Sequence, residues 1–212
     1  MKKTILLLIS LLLLTTIIWA QEEEGSSGFL WKYEDGNSTM YLLGSIHLAL
    51  PEMFPLSSSI MDAWRDSSTL VLETDLQDVQ SQEFQELLIA QGMDMTGFDL
   101  YSVIEDDAAQ ELSSFCHQYG IAPHMLSTFN PWLAETTIVT IALTALGYNP
   151  ELGIDTYFMD QALQEGKEVI GLETPAEQLS FLSSQPMEIQ IASLEGTIRE
   201  IDELEEDRKS TR

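Results

Sequence analysis

Short unbroken apolar runs alternate along this chain with longer stretches in which apolar residues recur three or four positions apart. The second spacing puts one face of a helix against a core, and the first reads as strand. Residues 29–34 and 39–44 flank Asp35, Gly36, Asn37 and Ser38, and an Asp-Gly step between two such runs predicts a hairpin. Trp31 and Tyr33 alternate with Lys32 and Glu34, as on an edge strand with one wet face. The stretch 40–47 predicts a buried strand that ends in Gly44, Ser45, Ile46 and His47. A second buried strand is expected at 69–72, ending in Glu73, Thr74 and Asp75, and a third at 167–172, ending in Glu173.

Helical spacing falls between these runs. Ile60, Met61 and Trp64 make an apolar stripe over 57–66. Helices are predicted at 77–91, closed by Gly92, and at 100–119, stopped by Gly120. The most apolar helix runs from 129 to 146 and should be central; others follow at 153–164, 175–182 and 187–207. The order is strand, helix, strand, a helical insert, then helix, strand, helix. It predicts an α/β protein, with α+β as the alternative. The expected architecture is a mostly parallel central sheet with an N-terminal hairpin and a helical half.

The first twenty residues change the picture of where this domain works. Lys2 and Lys3 precede an apolar run from 5 to 19, and Ala20 stands before Gln21, the pattern of a signal peptide. That run is shorter than the ~20 residues that span a bilayer unaided, so no stable membrane span is expected unless it stays uncleaved. Residues 21–28 read as a disordered acidic leader, and 29–212 as a single domain. The expected destination is periplasmic or extracellular.

The formal charge is −26, from 9 basic and 35 acidic residues. Removing Lys2 and Lys3 leaves 7 basic against 35 acidic, or −28. Nucleic acid is therefore excluded as a partner, because phosphate binding needs clusters of Lys and Arg. Such a surface attracts divalent cations or basic partners, although solubility alone accounts for it. Cys116 is the single cysteine, which rules out an intrachain disulfide and reads as a buried thiol. No Gly-x-Ser-x-Gly elbow and no phosphate-cradling loop occurs, against a serine-triad hydrolase or a nucleotide enzyme.

Three predicted strands end in groups that hold metal or move protons: His47, Glu73 with Asp75, and Glu173. Neighbouring parallel strands would bring them to one sheet edge. Imidazole with carboxylate is a ligand set for zinc or another transition metal, which makes bound water nucleophilic. Each residue also has a plainer role. His47 fits a core histidine, Glu73 a salt bridge to Arg65, and Glu173 a cap for the following helix. His117 and His124 read as surface or packing residues.

The segments FLWKYEDGNSTMYLLGSIHLALPEMFPL, LVLETDL, FNPWLAE, GYNPELGID and GKEVIGLETPAEQLSFL follow one another in the order seen in the TraB/GumN family, which the chain resembles over about 29–206. That family is related to the Tiki proteases and to erythromycin-esterase-like proteins. The resemblance implies a metal-dependent, peptidase-like hydrolase with two Gly-x-x-His motifs and an acidic residue between them. By position, Gly44 and His47 match the first motif and Glu73 the acidic residue, which implies His47 and Glu73 as ligands of zinc or manganese. Glu173 and Asp155 lie in recurring segments, and for Asp155 a helix N-terminal charge is the plainer role. No glycine after Gly44 is followed three places on by histidine, so the domain is expected to be C-terminally incomplete. Missing ligands are then expected from Glu173, from a second copy in a homo-oligomer, or from a segment outside this chain. The expected partner is a peptide or small-molecule substrate. The alternatives are a non-catalytic peptide- or ligand-binding module and an inactive truncated member.

Overall fold

Leu30–Glu34 (β1) and Thr39–Leu43 (β2) form the expected antiparallel hairpin, with Glu34 opposite Thr39 and Leu30 opposite Leu43. Asp35 makes the turn: its Oδ1 accepts the N–H groups of Asn37 and Ser38 at 3.0 and 2.8 Å. Gly36 sits there at φ +88, a conformation that a side chain disfavours. The computed structural model describes residues 29–79 and 81–210, with 202–210 as backbone only. The expected signal segment 1–20 and leader 21–28 lie outside the described residues. The chain divides into two units. Of the described residues, one holds 29–44 and Glu52–Ser67; the other holds Ser45–Pro51 and those from Ser68 onward.

In the first unit the hairpin accompanies one helix, Ser58–Asp66 (α1). Tyr41 Oη donates to Asp66 Oδ2 at 2.7 Å, and α1 buries Ile60, Ala63 and Trp64. The expectation of a buried strand reaching His47 is corrected. β2 stops at Leu43, and Met40 and Leu42 are 58% and 60% exposed. The physical reason is that among the described residues β2 pairs with β1 alone, and a two-stranded ribbon has no sheet neighbours to cover it.

The second unit holds the parallel pair. Thr69–Leu72 (β3) and Glu168–Gly171 (β4) run in register from Thr69–Glu168 to Leu72–Gly171. Bonds from the Leu172 N–H to Leu72 O (3.0 Å) and from the Glu173 N–H to Glu73 O (2.9 Å) carry the ladder past the strand ends. The α/β class, the hairpin and the parallel pairing are thus all present. The strand before His47 is not a member of the parallel sheet; it belongs to the hairpin.

The helices of this unit are Leu76–Val79 (α2), Gln82–Gly92 (α3), Asp106–Gln118 (α4), Pro131–Ala145 (α5), Ile154–Glu165 (α6), Pro175–Ser183 (α7) and Met187–Ser210 (α8). The single helix expected over 77–91 breaks in two. Ser81 Oγ accepts the Phe84 N–H at 3.1 Å and donates to Asp78 O at 2.6 Å, so it caps a new helix instead of continuing the old one. The stretch expected as helix over 100–119 likewise begins as a 3-10 turn, Leu100–Ser102, and restarts at Asp106.

The core lies among α4, α5 and α8, where Leu112, Ile138 and Leu194 are almost wholly buried. Each such side chain contributes about 1.5–3 kcal/mol relative to exposure. α5 is central, as its apolar sequence predicts, and packs most extensively on α8. In the same unit α6 packs on β3 and β4. No helix among the described residues is long and apolar enough to cross a membrane.

Candidate functional site

His47 lies in the second unit, in a short segment that docks on the start of α6. The segment forms an antiparallel bridge, Ala49 with Asn149, through bonds of 3.1 and 2.9 Å. The Ile154 N–H adds a bond to Ile46 O at 2.9 Å. α6 begins here because Gly153 provides its N-cap and Ile154 its first turn. Asp155 follows in that turn, where the helix dipole favours a carboxylate.

This docking brings the imidazole onto the carboxylate. His47 Nδ1 and Asp155 Oδ2 are 2.6 Å apart, with side-chain exposures of 68% and 10%. Ser45 Oγ donates to Asp155 Oδ1 at 3.5 Å. The hydrogen bond it donates to Asp155 holds the His47 imidazole above its ordinary pKa, against partial desolvation, with further help from the charges of Asp155 and Glu73. Burial alone would push Asp155 upward. The hydrogen bond and charge of His47, with the Asp155 and Thr156 N–H groups, outweigh it and hold the carboxyl below its usual range. An ionised carboxylate only accepts, so in the neutral ring the proton sits on Nδ1. Nε2 then carries the lone pair, which can take a proton or bind a metal ion.

The other expected residues gather at the ends of the parallel pair. Glu73 is exposed, and its Oε2 accepts from Gln178 Nε2 at 3.4 Å. Glu173 is exposed and borders an open groove of about 610 Å³ with Glu177, Gln178, Phe181 and Leu182. The cap of α7 is Thr174, not Glu173: Thr174 and Glu177 form a reciprocal capping box. Asp75 is occupied at the start of α2, where its Oδ1 accepts the Gln77 N–H at 2.9 Å. Gly171 permits this crowding, since a Cβ there would lie 2.9 Å from Asp75 N. Gly44 closes the hairpin in the first unit, its N–H bonded to Phe29 O at 2.8 Å.

Two arrangements therefore emerge. His47 and Asp155 are in direct contact, and Glu73 and Glu173 share one sheet end. The charge of Glu73 reaches His47. Sequence reasoning passed over Ser45, Gly153 and Gln178. Only Gly153 left a signal, as the glycine just before a helix whose first turn carries Asp155. His117 and His124 stand apart; His117 Nδ1 meets Ser113 O of its own helix at 2.7 Å. Cys116 is wholly buried, and burial pushes its thiol upward.

A catalytic zinc ion takes three protein donors and a water. Among the described residues no three His, Cys, Asp or Glu side chains stand close enough to hold a metal. The donor set described does not by itself fit a complete metal centre.

A docked histidine–carboxylate pair beside the end of a parallel strand pair, in an α/β frame, defines a protein with a candidate proton-transfer site. The chain belongs to the TraB/PrgY/gumN family, which matches residues 29–211. It is 26% identical over 151 residues to the uncharacterized protein YbaP of Escherichia coli strain K12, covering 71% of this chain and 54% of that one. The same figures hold for YbaP of Shigella flexneri. An uncharacterized protein of Treponema pallidum strain Nichols is 22% identical over 177 residues, covering 79% of this chain and 50% of the relative. The chain thus spans about half the length of these relatives. No solved structure matches.

Proposed function

We propose that this protein is an exported hydrolase of peptide or small ester bonds, with His47 as the group that takes a proton from the attacking water. The observation that carries this reading is the 2.6 Å contact between His47 Nδ1 and Asp155, made by an imidazole whose side chain is 68% exposed. Asp155 orients the ring and stabilises the imidazolium that forms; Glu73 adds negative charge nearby. Glu173 borders the groove beside the same sheet end, where a substrate chain would lie.

A screen of peptide and ester substrates against the wild type, His47→Ala and Asp155→Asn tests this. Loss of general-base assistance should slow turnover by about 10²–10⁴. Wild-type turnover that survives unchanged in His47→Ala would sink the reading.

Metal-dependent hydrolysis is the form that the family resemblance implies. An imidazole oriented by a carboxylate through its other nitrogen favours it. His47 and Glu73 would be two donors to zinc or manganese, and the remaining donors would come from outside the described residues. Calorimetry with each ion on the wild type, His47→Ala and Glu73→Ala checks it: stoichiometric uptake lost in both variants is expected. A folded protein that takes up neither ion and hydrolyses nothing would instead be a peptide- or ligand-binding module. Export is tested by N-terminal sequencing of the mature protein, expected to start at Gln21.

A further inference from the structure

Gly153 lies where the His47 segment meets α6. Its backbone, at φ −51 and ψ 142, is open to any residue, so glycine is not required there for its dihedral angles. Space is the requirement. A Cβ on Gly153 would sit 2.6 Å from the His47 carbonyl oxygen, 3.1 Å from its carbonyl carbon and 3.0 Å from Asp155 Oδ1. Two of these atoms are backbone, and that backbone is tied on both sides. Ile46 O accepts the Ile154 N–H, and Ala49 is bridged to Asn149. Neither neighbour can swing aside as the end of a long side chain would.

We propose that Gly153 is the positioning residue of the candidate site: its missing side chain lets the His47 backbone rest on the start of α6, and so sets the distance at which Asp155 meets the imidazole. This rests on His47 being the working group. The helix fixes Asp155 two residues beyond Gly153, and the carbonyl packed on Gly153 fixes His47. A methyl group between them displaces one against the other by several tenths of an ångström and crowds the carboxylate as well. Hydrogen bonds weaken steeply when the donor angle is lost, so the ring is released from Asp155.

The readout is the tautomer of His47 by nitrogen-15 NMR in alkaline solution, where the ring is neutral, with its signals assigned by their absence in His47→Ala. The wild type should hold the proton on Nδ1, and Asp155→Asn should lose that preference. Gly153→Ala should lose it to the same extent while far-UV dichroism shows the fold intact. A merely structural role would lower stability, since alanine is a poorer N-cap than glycine, and leave the tautomer alone. A folded Gly153→Ala that keeps the Nδ1 proton overturns the proposal. Gly153→Ser adds the same Cβ with a residue preferred at an N-cap, and probes the same contact should Gly153→Ala not fold. It too should lose the tautomer preference, and retention in a folded Gly153→Ser overturns the proposal. A wild-type ring protonated on Nε2 overturns the pair itself. Absence of hydrolysis with the expected tautomers sinks the functional reading alone.

Discussion

His47 and Asp155 shift one another in opposite directions, and the pH dependence follows from the signs. The imidazole titrates above its ordinary 6.5 in the folded protein. Its contribution to stability is fully present below 6.5 and is lost as pH rises through the folded value. The Asp155 carboxyl titrates below its ordinary 3.8, so its contribution is present above 3.8 and is lost as pH falls through the folded value. The pair therefore stabilises most between 3.8 and 6.5. Denaturation of Asp155→Asn against the wild type should show its largest deficit in that window and a smaller one in alkaline solution. In the same variant the His47 titration should move down toward 6.5. If hydrolysis is found, the alkaline rise of its rate should move down with it, because a base works only once it has lost its proton.

The elements show which sequence signals carried weight. The Asp-Gly turn, Pro131 and Pro175 at the first positions of α5 and α7, and Gly166 just past α6 stand at real boundaries, because each fixes backbone geometry locally. Ser81 was read as helix interior and residues 100–105 as the start of one long helix, yet the side chains of Ser81 and Asp99 hold backbone N–H groups and start new turns. Apolar periodicity does not register that competition. The His47 segment was harder still. An apolar run before Gly44 resembles a buried strand, and nothing local reveals that β2 has a single neighbour or that His47 leaves it to dock on α6. Asp155 was visible as a candidate, but its contact with His47 joins residues 108 positions apart. At this scale two substitutions should act oppositely. Thr174→Ala removes the capping box of α7 and should cost about 0.5–2 kcal/mol. Gly196→Ala, in α8 where an added Cβ meets nothing within 4 Å, should gain about 0.5–1 kcal/mol. Thermal melting of both variants checks the pair of signs.

Across the whole molecule the dominant quantity is a charge of −26. Few cations offset it among the described residues: Arg65 pairs with Asp62, Lys32 with Glu34 and Lys167 with Glu165. Self-repulsion on this scale opposes the folded state, and salt screens it. The melting temperature should rise as sodium chloride is added at neutral pH; a fall would mean that attractive pairs outweigh the repulsion. The parallel pair has a consequence for how the molecule assembles. Thr69 and Glu168, which open its register, are 99 residues apart, and every helix from α2 to α6 lies in that interval. Closing so long a loop costs chain entropy before any strand bond repays it. The sheet end that carries Glu73 and Glu173 should therefore form late in folding. Substitutions at Leu70 or Val169 should speed unfolding while barely slowing refolding.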